Sequence, residues 1–480
     1  MSTNEDAAED VDLLIIGAGP AGMAAAIEAG KLGIDTLVVD EKLHPGGQIY
    51  AGLAGGATFD RSVLGRDYLL GKNLIDRFHA CGARARYGAF VWDMTPDNTA
   101  YISTDGASRM IRARHAIVAT GALERPFAFE GWTLPGVITA GGAQLLLKTS
   151  AVVPQEPVVL AGSGPLLLLL ATQYIACGVS VAAILDTTPA GNRLGALRHF
   201  ARFVPTALAA KGLAMLWKLR AGGVPIRSGV EDIAALGSSR LEAVRYRRGG
   251  KEYRLPASCL IVHQGIESET RLLRAINVEH RWDNISRSWL PACDDFGRTA
   301  IPGVSVAGDG RAVLGAQAAP LSGRLAAIDA ARALGRIDVE TRDRLARPIR
   351  AQLGKASRGR GFVDTLFAPS PTSCDRLPGE ALACRCEEVT AKRVREEATR
   401  SAADINSVKS RLRCGMGPCQ GRYCETTVRE LLLRHSGSTA AEIGLLRIRP
   451  PIKPVGVEEI IALGVTELPP EARIPGVLPR

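Results

Sequence analysis

Residues 11–48 read VDLLIIGAGPAGMAAAIEAGKLGIDTLVVDEKLHPGGQ. Leu13 to Ile16 form a continuous apolar run, the pattern of a strand buried on both faces. Gly17, Gly19 and Gly22 then supply a G-x-G-x-x-G turn. Ala21 to Gly30 is small and apolar and predicts a helix. Gly17 permits the tight turn, Gly19 lets the backbone approach a pyrophosphate, and Gly22 lets helix pack on strand. The helix N-terminus offers free N–H groups and a partial positive charge to the phosphates. A second apolar strand, Thr36 to Val39, ends at Asp40, roughly 20 residues beyond the glycines, where a carboxylate accepts from ribose hydroxyls. A merely structural glycine turn would not need strand, helix, strand and acid in that order. Together they predict a dinucleotide site.

The chain has 480 residues, enough for about three domains. Its apolar fraction of 46% is that of a globular protein. No apolar run reaches the ~18 residues that would span a bilayer. The opening MSTNEDAAED is acidic and polar, unlike a signal or transit peptide, so the expected compartment is the cytoplasm. The net charge of +10 is carried mainly by Arg. It comes without a zinc-finger or RNA-binding motif, so nucleic acid is not the expected partner. Five of the ten cysteines fall between Cys384 and Cys424, a density that points to metal or redox chemistry rather than disulfides.

Further along, Pro45-Gly46-Gly47-Gln48 is a tight turn, Tyr68 to Ala80 a helix, and Ala116 to Gly121 (AIVATG) a strand ending in a small-residue turn. Val158 to Asp186 repeats the opening pattern: a strand to Ala161, Gly162-Ser163-Gly164, a helix from Leu166 to Ala176, and a strand from Val179 to Leu185. Leu167 stands where the third glycine would be, which weakens close helix–strand packing. Asp186 sits near the ribose position, with no Arg immediately after it to receive a 2′-phosphate. This second unit reads equally as an adenine-nucleotide site or as an inherited fold that binds nothing. Ala196 to Leu219 predicts an amphipathic helical insertion, packed on its own domain or on a partner chain, with peripheral membrane contact as the other use. Val304 to Asp309 (VSVAGD) is a buried strand and Leu321 to Leu334 a helix. Gly335 to Leu377 is Arg- and Pro-rich and reads as a linker with one helix. Arg447 to Arg480 is Pro-rich, with one helical run at Val457 to Leu463, and is expected to drape over a surface.

Gly17-x-Gly19-x-x-Gly22, Ala119-Thr120-Gly121 and Gly308-Asp309, in that order, resemble the flavoproteins with two dinucleotide domains, the superfamily of glutathione and thioredoxin reductases. Gly46-Gly47-Gln48 is similar to the thioredoxin reductase side. The resemblance covers about Val11 to Leu334. It implies an α/β fold of two Rossmann-like domains, the second inserted in the first. It implies FAD, with contacts from Gly17, Gly19, Pro20, Ala21 and Gly22. Asp40 would take the adenosine ribose, beside Glu41. Gly47, Gln48, Ala119, Thr120 and Gly121 line the same site in this reading. Gly308 and Asp309 would hold the ribityl chain, and a helix beginning near Ala316-Gln317 would aim its positive end at the flavin's pyrimidine edge. One departure is informative. The loops Gly46 to Gly56 and Thr133 to Gly142 carry no cysteine pair, so dithiol chemistry is not expected.

Cys384-Arg385-Cys386 followed by CGMGPCQGRYC, with Cys419 and Cys424, resembles the bacterioferritin-associated-ferredoxin-like [2Fe-2S] module, a small helical domain. Four thiolates are the ligand set of such a cluster. The 32 residues between Cys386 and Cys419 match that module's gap, whereas only 27 separate Cys386 from Cys414. The resemblance therefore assigns Cys384, Cys386, Cys419 and Cys424 and leaves Cys414 as a neighbour. Gly415 and Gly417 would let backbone N–H groups approach cluster sulfurs. A zinc site fits C-x-C poorly.

Flavoprotein, linker and cysteine module together resemble the α subunits of octopine and nopaline oxidases, hydroxyproline and proline dehydrogenases and a hydrogen cyanide synthase. That implies the following domains: a disordered 1–10, an FAD-binding domain over 11–150 and 251–335, an NAD(P)-binding-like domain over 151–250, a linker over 336–380, a [2Fe-2S] domain over 381–436 and a Pro-rich tail over 437–480. It implies an amino-acid-oxidase-like β subunit with its own FAD that oxidises a C–N bond. It leaves room for FMN at the interface of the two chains and for a small ferredoxin-like third chain. The alternative reading is a self-contained NAD(P)H-dependent reductase, and a third is a zinc-stabilised scaffold. No His, Tyr or Arg cluster obviously holds an amino acid carboxylate, which agrees with a substrate site on another chain.

Overall fold

A computed structural model describes residues 8–55, 59–372, 374–400, 404–461 and 463. The opening strand, Glu9–Ile16, is buried on both faces and pairs in parallel with Thr36–Asp40 on one side and Ala107–Val118 on the other, with Ile15 opposite Val38 and Ile117. Glu9 and Asp10 are therefore strand residues, and the disorder expected for 1–10 is corrected there; residues 1–7 lie outside the described residues. Ala107–Val118 is long enough to pair twice along its far edge. Residues 107–112 run antiparallel to Thr99–Thr104, and residues 116–118 run parallel to Val304–Val306. The chain thus leaves this sheet after Val118 and returns to it at Val304.

The excursion builds a second, all-parallel sheet in the order Ile226–Ser228, Val181–Asp186, Val158–Gly162, Cys259–His263, Val137–Thr139. Two of its strands fall outside 151–250, so this unit is wider on both sides than expected. An antiparallel meander, Val230–Leu236, Ala243–Arg248 and Lys251–Pro256, covers one face, with Ile233 and Val244 in one core with Val159 and Leu260.

Two helices seal the first sheet because their contact face is small. Helix Pro20–Lys31 lies against Ala319–Ala333, and a Cβ on Gly323 would fall 2.0 Å from the Ala21 carbonyl oxygen. The expected linker holds two helices, Val339–Ala356 and Arg360–Leu366. Asp338 caps the first by accepting from Thr341 N at 2.8 Å, and Ala346 and Ile349 bury against Phe296, whose ring faces Arg342 and Arg350. The helical insertion is present but broken. Helices Ala190–Ala196, Phe200–Phe203 and Ala207–Ala221 follow one another, with Pro205 at the last break, where its ring disfavours a continuous helix. Its large apolar side chains are mostly outward, with Leu213 68% and Trp217 71% exposed. Among the described residues no helix is long and apolar enough to cross a membrane.

The cysteine module is not a tethered bead. Strands Leu382–Cys384 and Val389–Thr390 and helices Ala391–Arg400, Ile405–Leu412 and Glu425–His435 bury their apolar faces in one continuous core with Val11, Leu14 and Ile111 of the first sheet. The same core takes in Ile443, Leu446, Ile448 and Ile452, so the chain beyond 436 is packed as well as draped.

Buried charges lock the module down. Arg125 pairs with Glu267 at 2.5 Å and Glu430 at 2.9 Å, Arg429 reaches Glu267 at 3.2 Å, and Arg287 also pairs with Glu430. Burial alone would raise the Glu267 pKa, but Arg125 and Arg429 outweigh it and hold it below the ordinary value of 4.5. Its stabilising effect is therefore complete above about pH 4.5 and is lost as the pH falls through the lowered folded value. Removing one partner from a buried pair costs about 3–5 kcal/mol. We expect Glu430→Ala to lower the thermal unfolding midpoint sharply. Glu252→Ala, which breaks an exposed pair with Arg245, should cost no more than about 1 kcal/mol. Equal melting curves for the two variants would refute the locking role.

Candidate cofactor site

The glycines of the first turn are explained by contact. Gly17 has φ +108°, and a Cβ there would meet the Ala119 carbonyl oxygen at 2.5 Å, so the first turn and Ala119-Thr120-Gly121 touch. A Cβ on Gly22 would fall 1.8 Å from the Gly17 oxygen. Gly47 abuts Gly19, whereas a Cβ on Gly19 would meet nothing nearer than 3.8 Å. Helix Pro20–Lys31 begins with no side-chain cap, which leaves its first N–H groups free. Gly17, Gly19, Pro20, Ala21, Gly47 and Gln48 share one cleft of about 340 Å³ with Ala119, Thr120, Gly121 and Asp309. Gly22 and Gly308 pack behind its wall, Gly308 against Ala21. Gln317 is exposed and outside the cleft. The following helix starts later than expected, at Ala319, and Ala316 and Ala319 are the residues that reach the cleft.

The two acids after the second strand divide their work. Asp40 is buried and accepts from Ala18 N at 2.6 Å and Lys42 N at 2.8 Å, which fastens the glycine turn to the strand end. Glu41 is half exposed on the cleft and pairs with Lys453. Asp309 accepts from Leu314 N and Gly315 N, each at 2.9 Å, while burial pushes its pKa up.

Sequence reasoning missed two lysines in the cleft. Lys148 donates to the Gln48 carbonyl at 3.2 Å and lies 5.7 Å from the Tyr68 ring centre; burial, helped by the charge of Lys42, pushes its pKa down to about 7. The Lys42 ammonium is buried with no hydrogen-bond partner among the described residues. The available signals were slight: one lysine directly after an acidic strand end, and one closing the apolar run Leu145–Leu147. An unpartnered ammonium beside a glycine turn and a free helix N-terminus favours an anion. The residues present therefore fit a dinucleotide pyrophosphate.

All five cysteines of the module come together. The Cys384 thiol faces Cys414 and Cys424, and Cys386 faces Cys419. The hydrogen bond from Cys414, then that from Cys424, holds Cys384 down at about 2 despite its burial; backbone N–H groups of Glu387 and Gly415 assist. Cys414 and Cys424 are pushed up, first by their bond to Cys384 and then by burial. A Cβ on Gly417 would strike Cys386 Cβ at 2.4 Å, so that glycine is required by the close approach. Among the described residues no three Cys, His or acidic side chains surround a single-cation position. The thiols lie as a group of three and a group of two, a donor set suited to iron–sulfur chemistry.

The two sites adjoin. Arg422, between Cys419 and Cys424, lines the dinucleotide cleft, as do Glu269 and Arg271. Arg271 pairs with Glu269 and donates to the Cys419 carbonyl at 3.4 Å. In the second unit, Gly162 and Gly164 close on His263, and Asp186 is held by Thr188 N, Ser228 Oγ and Arg193. Isolated Cys81, Cys177, Cys259 and Cys293 are free thiols.

Such a fold and site define a two-dinucleotide-domain flavoprotein with an appended iron–sulfur module. The chain belongs to the pyridine nucleotide-disulphide oxidoreductase family, which matches residues 11–335, and the BFD-like [2Fe-2S] binding domain matches residues 382–434. It is 41% identical over 471 residues to the A subunit of opine oxidase from Rhizobium meliloti, covering 96% of this chain and 89% of that protein. It is 32% identical over 466 residues to the HcnB subunit of hydrogen cyanide synthase from Pseudomonas aeruginosa, covering 94% and 98%. The crystal structure of L-proline dehydrogenase from P. horikoshii shares the fold at a TM-score of 0.70 and 19% identity, covering 95% of this chain and 81% of that one. The protein is thus an FAD-dependent oxidoreductase subunit that carries a [2Fe-2S] cluster, and its relatives' designation as subunits implies a partner chain.

Asp309 provides a test of the flavin end. Asp309→Ala removes both a carboxylate and the acceptor that shapes residues 314–315, and should weaken FAD binding roughly tenfold or more. Asp309→Asn retains an acceptor oxygen and should keep the fold while losing part of that affinity. Titration of apoprotein with FAD, followed by flavin fluorescence, checks both; unchanged affinity in both variants would exclude Asp309 from the site.

Proposed function

We propose that this chain is the electron-transferring subunit of a dehydrogenase or oxidase that attacks a C–N bond of an opine, amino acid or imino acid. The substrate is oxidised on a separate, amino-acid-oxidase-like chain. The observation that supports this most directly is the junction of cluster loop and cleft: Arg422 belongs to both. Among the described residues no cysteine lines that cleft, which leaves the module, not a dithiol, as the electron exit.

The chain's own residues do the following in this reading. Gly19, Pro20 and the helix they begin receive the pyrophosphate, with Lys42 and Lys148 supplying compensating charge. Glu41, more exposed on the cleft than Asp40 beside it, accepts from the adenosine ribose. Asp309 holds the ribityl side. Arg271 and Arg422, which line the cleft, would supply positive charge to a reduced flavin held there. FAD supplies two-electron acceptance and the [2Fe-2S] cluster one-electron transfer; the protein fixes their spacing. Among the thiols, Cys384, Cys386, Cys419 and Cys424 are the ligands. Because Cys384 touches both Cys414 and Cys424, the competition for the fourth place is between those two.

The purified complex should show flavin bands and the broad cluster absorption, bleached by an opine or amino acid. Bleaching of the isolated chain by NADH alone would overturn the reading in favour of a self-contained reductase; Asp186, already paired with Arg193, speaks against that. For the ligands, Cys419→Ser should lose iron and acid-labile sulfide, since a serine oxygen is a much harder ligand than thiolate. Cys414→Ser should retain them. Loss in Cys414→Ser with retention in Cys424→Ser would transfer the fourth place to Cys414.

A further inference from the structure

The C-terminal segment beyond the iron–sulfur module returns to the flavin cleft. Ile452 is 7% exposed, and its N–H donates to the Trp92 carbonyl at 2.8 Å, on strand Phe90–Met94. Lys453 pairs with Glu41, and its ammonium lies 5.6 Å from the Phe90 ring centre. Ile452 and Lys453 line the same cleft as Ala89, Phe90, Val91 and Glu41. Downstream, helix Val457–Ile461 is tied to the sheet by a hydrogen bond between Glu459 and Ser103. The segment is therefore anchored on both sides of the two cleft residues. It lies outside both matched family regions, 11–335 and 382–434.

We infer that Ile452 and Lys453 are part of the FAD-binding site and close its adenosine end; this rests on the proposed FAD reading. Adenine is a flat, largely apolar ring, and Val91, Ala89 and Ile452 give that end of the cleft an apolar wall. Lys453 neutralises Glu41 and fixes its orientation, so that the carboxylate is presented to ribose hydroxyls instead of repelling the nearby phosphates. The strap contributes to the adenosine half only. It therefore sets how strongly the cleft prefers FAD to FMN, which lacks that half, and how slowly FAD leaves.

The test uses the full-length chain without its partner, to which the proposed reading gives a flavin of its own, stripped of flavin and titrated with FAD and, separately, FMN. Ile452→Ala and Lys453→Met should each weaken FAD binding by about tenfold, leave FMN binding unchanged, and leave the cluster absorption at its normal intensity. Unchanged FAD affinity in both variants would overturn the inference, as would an equal loss for FAD and FMN, which would indicate general damage to the cleft. A parent protein that takes up no FAD would instead reject the flavin reading on which the strap rests.

Discussion

The structure depends on one buried arrangement of charge, Arg125 with Glu267 and Glu430, extended by Arg429 and Arg287. Glu430 and Arg429 come from the cluster module's helix Glu425–His435, while Arg125, Glu267 and Arg287 come from the flavoprotein part. Each charge is desolvated, so the arrangement is tolerable only when every partner is in place. That makes it a register device as much as a source of stability. A module that slid by one helical turn would leave at least one guanidinium or carboxylate buried and alone. The surrounding apolar core would accept many orientations, and the charges select one.

That orientation has a functional consequence. Electron transfer between two cofactors needs a short separation, and a docked module keeps one without a docking step. Here the Cys419–Cys424 loop presents Arg422 to the flavin cleft, and Arg271 ties the Cys419 carbonyl to the flavoprotein side. A second ion pair, Arg274 with Glu425 at 3.0 Å, stands beside the same loop. The helices over Val339–Ala356 and Arg360–Leu366 occupy the span between the two halves, so the connection is structured where composition suggested a linker.

The fold was legible wherever a local rule had a single structural answer. Apolar runs such as Leu13–Ile16 can be strands buried on both faces, and Gly17 and Gly22 sit where a Cβ would overlap backbone atoms. What was not legible depended on tertiary context. Helix Val339–Ala356 is rich in Arg and contains Pro348, and its packing on Phe296, Leu325 and Ile328 accounts for it. Strands Val137–Thr139 and Cys259–His263 belong to the second sheet by pairing, which no local pattern encodes. At the site, the bonds that Asp40 accepts from Ala18 N and Lys42 N exist only once the strand end and the glycine turn are brought together. Lys42 and Lys148 were hidden because a lysine ordinarily signals surface.

In the second dinucleotide unit the glycine turn packs against a histidine of the same unit. Gly162 and Gly164 still have positive φ, at +136° and +134°, but the space they open is filled by His263. That imidazole bonds Glu124 at 2.6 Å, and Glu124 in turn accepts from Gly141 N at 2.6 Å and lines the flavin cleft. Leu167, where a third glycine would stand, is buried and packs as core. The turn thus connects, through His263 and Glu124, to the wall of the other site. Its glycines are constrained by contact with His263 whether or not a nucleotide binds there.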